Sequence, residues 1–181
     1  MMHHIAGEKP YGVFEQLNKD KKYYDFDEIR TNIESETDKI AGSNKAIVDQ
    51  PLKLTIYSYE CPDLTLIDLP GITKINVGHQ KGDIEKITID MAQRYCAEER
   101  TIILCVIPAN ADMATSQGLD LARKWDPEGH RTLGVITKID IMDRGTDASH
   151  MIMNREIPLR LGYVGIKNRS QEDINNKVKV S

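Results

Sequence analysis

Between Asp25 and Ile40 the apolar residues Phe26, Ile29, Ile33 and Ile40 recur at roughly helical spacing among Glu, Asp and Lys. That period predicts an amphipathic helix ending near Gly42. Leu52 to Tyr57 and Leu64 to Leu69 are β-rich runs separated by Tyr59, Cys61, Pro62 and Asp63, a pattern that predicts an antiparallel hairpin. After a Gly-containing stretch from Gly71 to Gly82, helical spacing returns over Asp83 to Glu99, with Ile84, Ile87, Met91 and Tyr95 on one face and Asp83 placed to cap the start. Thr101 to Ile107 is continuously apolar and ends at Pro108, as expected of a central strand buried on both faces. A helical segment over Ser116 to Trp125 and a second buried strand, Thr132 to Ile136, follow.

The last third repeats the alternation with a polar loop from Asp140, a helix near Asp147 to Arg155, an apolar run Gly162 to Ile166 and a polar tail. Strand, helix, strand, helix, strand predicts an α/β fold on a mainly parallel sheet. Ligands of such sheets sit beyond the carboxyl ends of the strands, so the residues that end the apolar runs are the candidates for chemistry.

Three of those ends carry polar clusters: Asp68-Leu69-Pro70-Gly71, Thr137-Lys138-Ile139-Asp140 and Asn168-Arg169-Ser170. Each has a plain alternative, respectively a turn, a strand leading into a charged loop, and a loop. Taken in this order on successive strands they describe a guanine-nucleotide site. Asp68 is the candidate to hold magnesium through a bound water, because that ion keeps an octahedral oxygen shell with several waters. Gly71, three positions on, lets backbone approach a terminal phosphate and donate its N–H; it is the candidate catalytic group, positioning phosphate and water, and opens a switch loop running to about Gln80. The Asp140 carboxylate can accept from guanine N1–H and the exocyclic amine, a donor pair that adenine lacks. The alkyl stem of Lys138 can lie over the base and the Thr137 hydroxyl can fix the loop. Asn168 and Arg169 would close the far side of base and ribose.

Composition narrows the setting. The chain has 181 residues, a net charge of −4 and a pI near 5.7, so it offers no basic field for nucleic acid, which is not an expected partner. Cys61, Cys96 and Cys105 are odd in number and form no C-x-x-C pair, which fits reduced structural thiols and a cytoplasmic setting. His3 and His4 are adjacent near the start with no third ligand nearby in sequence, and are expected to be surface residues. Residues 1–22 are expected to be a poorly defined segment and 23–181 a partial nucleotide-binding domain.

From about Tyr24 to Asp173 the chain resembles the dynamin family. The resemblance rests on Asp25-Phe26-Asp27-Glu28-Ile29-Arg30, Leu64-Thr65-Leu66-Ile67-Asp68-Leu69-Pro70-Gly71-Ile72-Thr73-Lys74, and the stretch from Asp126-Pro127-Glu128-Gly129 through Thr137-Lys138-Ile139-Asp140 to Asp143. Gly145-Thr146-Asp147-Ala148 and Asn168-Arg169-Ser170-Gln171 extend it. The resemblance implies a P-loop-NTPase-like G domain, GTP or GDP with magnesium as ligands, and GTP hydrolysis coupled to membrane remodelling or organelle division in the complete protein. It also implies that Pro108-Ala109-Asn110-Ala111-Asp112 forms a loop that reaches the partner's nucleotide when two G domains meet, with Asp112 as the contact; a plain turn into a helix is the other reading of that aspartate. Asn76 and Lys81-Gly82 stand where relatives commonly have prolines.

No G-x-x-x-x-G-K-[ST] occurs in the 181 residues; the nearest spacing, Gly7 to Gly12, is followed by Val13-Phe14. The expectation is that the N-terminal βα unit of the domain is missing. Charge-assisted hydrogen bonds contribute about 1.5–3 kcal/mol each, so around five lost phosphate contacts forfeit about 8–15 kcal/mol, against about 8 kcal/mol for a micromolar ligand. Weak GTP binding and negligible hydrolysis are therefore expected of the isolated chain. The alternative reading is a non-catalytic interaction module, or truncated product, that pairs with full-length relatives. Any attachment to membranes or microtubules would come from parts outside these residues.

Overall fold

The computed structural model describes residues 1–42, 47–72, 84–142, 147–176 and 178. They fall into two compact units, Met1–Met91 and Ala92–Ser181.

The first unit is built on a three-stranded sheet of order β1-β3-β2, comprising β1 (Met2–His4), β2 (Tyr11–Phe14) and β3 (Leu54–Ser58). β1 runs parallel to β3 and β2 antiparallel to it, so residues 1–22 contribute two strands. Helix α1 (Phe26–Ala41) starts where the Asp25 side chain accepts from the Asp27 N–H, and Asp27 and Glu28 place negative charge at its positive end. It stops at Gly42, whose φ of 69° suits glycine and whose N–H bonds Asp38 O. Of the expected apolar stripe only Ile29 is buried; it lies over β2 at Gly12, where a Cβ would come within 2.8 Å of Ile29 Cδ1. Phe14, Tyr23 and Ile29 form the core, with Phe14 and Tyr23 edge to face at 5.5 Å.

The expected hairpin between Leu52–Tyr57 and Leu64–Leu69 does not form. Both edges of β3 are already taken, by β1 and β2, so the second run has no partner there. Among the described residues it is tied at Leu64, which exchanges backbone bonds with Met2 at 2.7 and 3.1 Å, and residues 65–70 carry no regular structure. A nearby Pro-Asp turn signal lost to pairing across more than forty residues of sequence.

Helix α2 (Ile84–Cys96) leads into the second unit. The proposed cap Asp83, and the switch loop beyond Ile72, lie outside the described residues. The second unit carries the parallel sheet expected from the sequence, order β4-β5-β6, with β4 (Ile103–Pro108), β5 (Thr132–Thr137) and β6 (Tyr163–Gly165). Helix α3 (Gln117–Trp125) is capped by Ser116, whose hydroxyl accepts from the Leu119 N–H, and α4 (Ser149–Ile152) is shorter than expected. The core gathers Cys105, Ile107, Leu119, Ile136, Met151 and Tyr163. β4 is not buried on both faces: Ile103, Cys105 and Ile107 point inward, while Leu104 and Val106 are exposed. The continuous apolar run therefore conceals an ordinary alternation of one covered and one open face.

Two features fix this sheet. At the head of β5 the buried Asp126 carboxylate accepts from His130 N, Arg131 N and Thr132 Oγ1 at 2.9, 2.9 and 2.6 Å. The Arg131 guanidinium donates to the carbonyls of Cys96, Glu98, Thr101 and Trp125 at 2.6–3.3 Å, closing the ends of α2 and α3 on the start of the strand. Further along, Tyr163 lies flat on Gly134, its register partner, so closely that a Cβ there would sit 2.0 Å from the ring. Its hydroxyl donates to Ile157 O at 2.8 Å.

Gly134→Ala is accordingly expected to lower stability by about 1–3 kcal/mol or more through overpacking, read as a lower urea midpoint. Burial alone would raise the Asp126 carboxyl, but the bonds from Thr132, Arg131 and His130 outweigh it and hold the group below its ordinary value. A depressed folded value stabilises above the unfolded value and loses that contribution as pH falls through the folded one. Stability of the second unit should thus fall below about pH 4, and Asp126→Asn should blunt that fall. The same change puts an NH2 where Oδ2 accepts two bonds, at a cost at neutral pH of about 1–3 kcal/mol in urea unfolding.

Candidate functional site

The residues singled out by sequence divide between the units. Asp68 and Gly71 lie in the first, both exposed, on the irregular segment that follows the Leu64 tie. Thr137, Lys138, Asp140, Asn168, Arg169 and Asp112 lie in the second.

Within the second unit the sheet brings the candidate residues Thr137, Lys138, Asp140, Asn168 and Arg169 to one end. β4, β5 and β6 run parallel, so their carboxyl ends share a side, and Ala109 N still bonds Thr137 O at 2.8 Å as both strands end. β6 is in register Gly134 with Tyr163 through Ile136 with Gly165, and Ile166 N bonds Ile136 O at 2.8 Å. The loop from Lys138 and the loop from Lys167 therefore leave adjacent strands at the same level. The Thr137 hydroxyl reaches back to Ile107 O at 3.5 Å, a long contact that ties the end of β5 to β4.

Lys138 is left-handed, φ 58° and ψ 31°, a conformation that costs a side-chain-bearing residue about 1–2 kcal/mol. It turns the chain sharply out of β5 into the single 3₁₀ turn Ile139–Ile141, which carries Asp140. Lys138 and Asp140 are both exposed at the rim while Ile139 packs toward the core. The strain is legible only in the structure, since nothing in Thr-Lys-Ile-Asp announces a left-handed lysine. Strain of this kind concentrates at ligand-binding positions.

On the β6 side, Asn168 and Arg169 are exposed; Arg169 Nη1 donates to Val178 O at 3.0 Å. Ser170 and Asp173 form a reciprocal capping box that starts α5 (Gln171–Asn175) directly after the motif. Upstream, the Asn154 carboxamide bonds both N–H and C=O of Leu159 at 2.8 Å, which closes the loop entering β6. Sequence reading did not find that closure.

Asp112 follows β4 and accepts from Ala114 N at 2.9 Å, capping the 3₁₀ turn Met113–Thr115. It borders a cleft of about 340 Å³ that is also lined by Asn110, Met142, Asp147 and His150. The Asp147 carboxylate, held below its usual range mainly by hydrogen bonding from Ser149, starts α4 there. The neighbourhood of Asp112 with Asp147 and His150 is a finding of the fold, because nearly forty residues separate them in sequence.

No group of three or more His, Cys, Asp or Glu among the described residues is arranged to hold a metal ion. Asp68 is a single exposed carboxylate, which fits an ion held mainly by water and phosphate oxygens and does not fit an all-protein cage. The cysteines are free; burial pushes the Cys105 thiol up to about 11, which suits a structural and unreactive group.

Residues 5–139 match the family model described as the dynamin family, and residues 147–181 match the dynamin central region. The chain is similar to dynamin-1-like protein of Danio rerio, 53% identical over 163 residues, covering 90% of this chain and 24% of that protein. It is 50% identical over 176 residues to dynamin-related protein 3B of Arabidopsis thaliana, covering 96% and 23%. It is 53% identical over 159 residues to dynamin-2 of Homo sapiens, covering 88% and 18%. The chain thus spans about a quarter or less of the length of these relatives. With the adjacent parallel strands β5 and β6 leading into Thr137-Lys138-Ile139-Asp140 and Asn168-Arg169-Ser170, the Asp68 cluster lying instead on an irregular segment, and with the family model matching most of its length, the chain belongs to the dynamin family and carries an α/β fold of the GTPase-domain class.

Proposed function

We propose that this chain supplies the guanine-reading part of a dynamin-type GTP-binding domain, within a protein that hydrolyses GTP and couples hydrolysis to membrane remodelling or organelle division. The observation that carries the reading is the left-handed Lys138 at the carboxyl end of β5, beside the loop bearing Asn168 and Arg169 on the adjacent parallel strand. Asp140 accepts from the Watson–Crick edge of guanine, Lys138 covers one face of the base, and Asn168 with Arg169 bounds the other side. Thr137 holds the turn through its hydroxyl. Asp68 orients a magnesium-bound water, the ion supplying neutralisation of phosphate charge, and the Gly71 N–H donates to the terminal phosphate.

Asp112 is proposed as a contact to the nucleotide of a facing G domain, from a loop whose cap and cleft leave its outer surface open. Cytoplasmic residence is proposed with it. No described helix is long and apolar enough to cross a membrane, and membrane attachment is assigned to other parts of the protein.

Because the base-reading residues are together and most phosphate-binding groups of the family motif are not among the 181 residues, selectivity should precede affinity. In a thermal-shift titration at millimolar nucleotide, GTP, GDP and GMP should each stabilise the chain to a similar small extent and ATP should not. Equal shifts from ATP and GTP would remove the guanine assignment. A large GTP shift, about 2.7 kcal/mol at a hundred times the dissociation constant, would overturn the expectation of weak binding. Lys138→Gly should raise intrinsic stability by about 1 kcal/mol while erasing the difference between GTP and ATP, and Asp140→Ala should erase that difference without the gain.

A further inference from the structure

We propose that Asp173 is a positioning residue of the guanine site, holding the guanidinium of Arg169 ready for the nucleotide through α5 and the backbone of Val178. The inference rests on the guanine reading above and adds to it a residue outside the clusters Thr137 to Asp140 and Asn168 to Ser170. Arg169 is exposed, and an exposed arginine keeps most of its torsional freedom until something holds it. Here Nη1 donates to Val178 O at 3.0 Å, nine residues along the chain. Val178 is fixed in turn from Asp173: its N–H donates to Asp173 O at 2.9 Å, the bond by which a chain leaving a helix is folded back over the last turn. The start of the same helix is fixed by the Asp173 side chain. Its Oδ2 accepts from Ser170 N at 2.9 Å and from Ser170 Oγ at 2.8 Å, while Asp173 N donates to Ser170 Oγ at 3.1 Å. Hydrogen bonding from Ser170 holds the Asp173 carboxyl below its ordinary range, so it is ionised at neutral pH and the box stays closed.

Arg169, Ser170, Asp173 and Val178 thus form a closed ring of bonds around α5, in which Asp173 takes part twice, by carboxylate and by carbonyl. A capping box needs only Ser170 and Asp173. The return from Val178 to Arg169 is the part that starting a helix does not require, and it ends on the side chain assigned to the far side of base and ribose. The bond limits the swing of the guanidinium and leaves its remaining N–H groups for ribose or base acceptors. A side chain ordered beforehand loses less freedom on binding than one that the ligand must order, so the ring raises affinity for the nucleotide without touching it. Linkage makes the effect reciprocal: a nucleotide that engages Arg169 steadies Val178. Removing the Asp173 carboxylate opens the cap, lets the short helix fray, and releases Val178 and with it Arg169.

The test is a thermal-shift titration of the chain and its variants with GDP and, in parallel, ADP, together with hydrogen exchange at the Val178 amide. Asp173→Ala should weaken GDP binding about threefold or more. Asp173→Asn, whose amide oxygen can accept both Ser170 bonds, should restore it. Glu172→Ala, which removes the neighbouring carboxylate and none of the bonds of the ring, should bind as the unaltered chain does. In an Arg169→Ala background Asp173→Ala should weaken binding no further, because its effect passes through that guanidinium. Should Asp173→Ala fold poorly, exchange in the unaltered chain decides: millimolar GDP should slow the Val178 amide and ADP should not. Unchanged GDP binding in Asp173→Ala overturns the inference, and so does Val178 exchange indifferent to GDP. An equal loss with and without Arg169 would make Asp173 a structural residue alone and overturns it too. A chain that binds GDP no better than ADP overturns the guanine reading and this inference together, whereas GDP preference combined with any of the three preceding results overturns this inference only.

Discussion

The second unit depends on how β5 begins. Asp126, Arg131 and Thr132 lie within seven residues, and their bonds bring the end of α2, the loop at Glu98 to Thr101, the end of α3 and the first residue of β5 to one point. A strand anchored at its head has a fixed exit, because the rise per residue is constant along an extended chain. The position at which Lys138 turns is therefore set by a network at the opposite end of the sheet. Asp126 and Thr132 are buried and Arg131 half-buried, and the bonds among them satisfy the carboxylate, the condition under which polar groups specify a structure without destabilising it.

Gly134 and Tyr163 complete the constraint from the side. The ring rests where any side chain on β5 would displace it, so β6 is held at one height against β5. Asn154 closes the loop that feeds β6, and its backbone is left-handed as well, φ 59°. The two strained non-glycine residues of the described chain thus flank the same strand pair, one leaving β5 and one leading toward β6.

Much of this was legible in the sequence. Helix α1 and its stop at Gly42, the helical segment over Ser116 to Trp125, and the β4-α3-β5 order follow from period and a parallel sheet that needs crossovers. The misreadings have physical causes. The run Leu64 to Leu69 has the composition of a strand, but β3 already had neighbours contributed by Met2–His4 and Tyr11–Phe14, and local propensity cannot report an occupied edge. The unbroken apolar text of β4 hid which face was covered. The motifs at Thr137 to Asp140 and Asn168 to Arg169 could be named in advance, but their adjacency required the register of β5 and β6. The association of Asp112 with Asp147 and His150 required the folded loop.

The clamp at Arg131 includes the carbonyl of Trp125, the single tryptophan of the chain, whose indole Nε1 is buried without a hydrogen-bond partner among the described residues and whose ring lies 5.8 Å from Lys124 Nζ. The first unit contains tyrosines but no tryptophan. Intrinsic tryptophan emission therefore speaks for the second unit alone, and from the very point where its polar clamp closes. The molecule carries a built-in spectroscopic label that separates the melting of its parallel-sheet unit from that of the tyrosine-rich sheet preceding it.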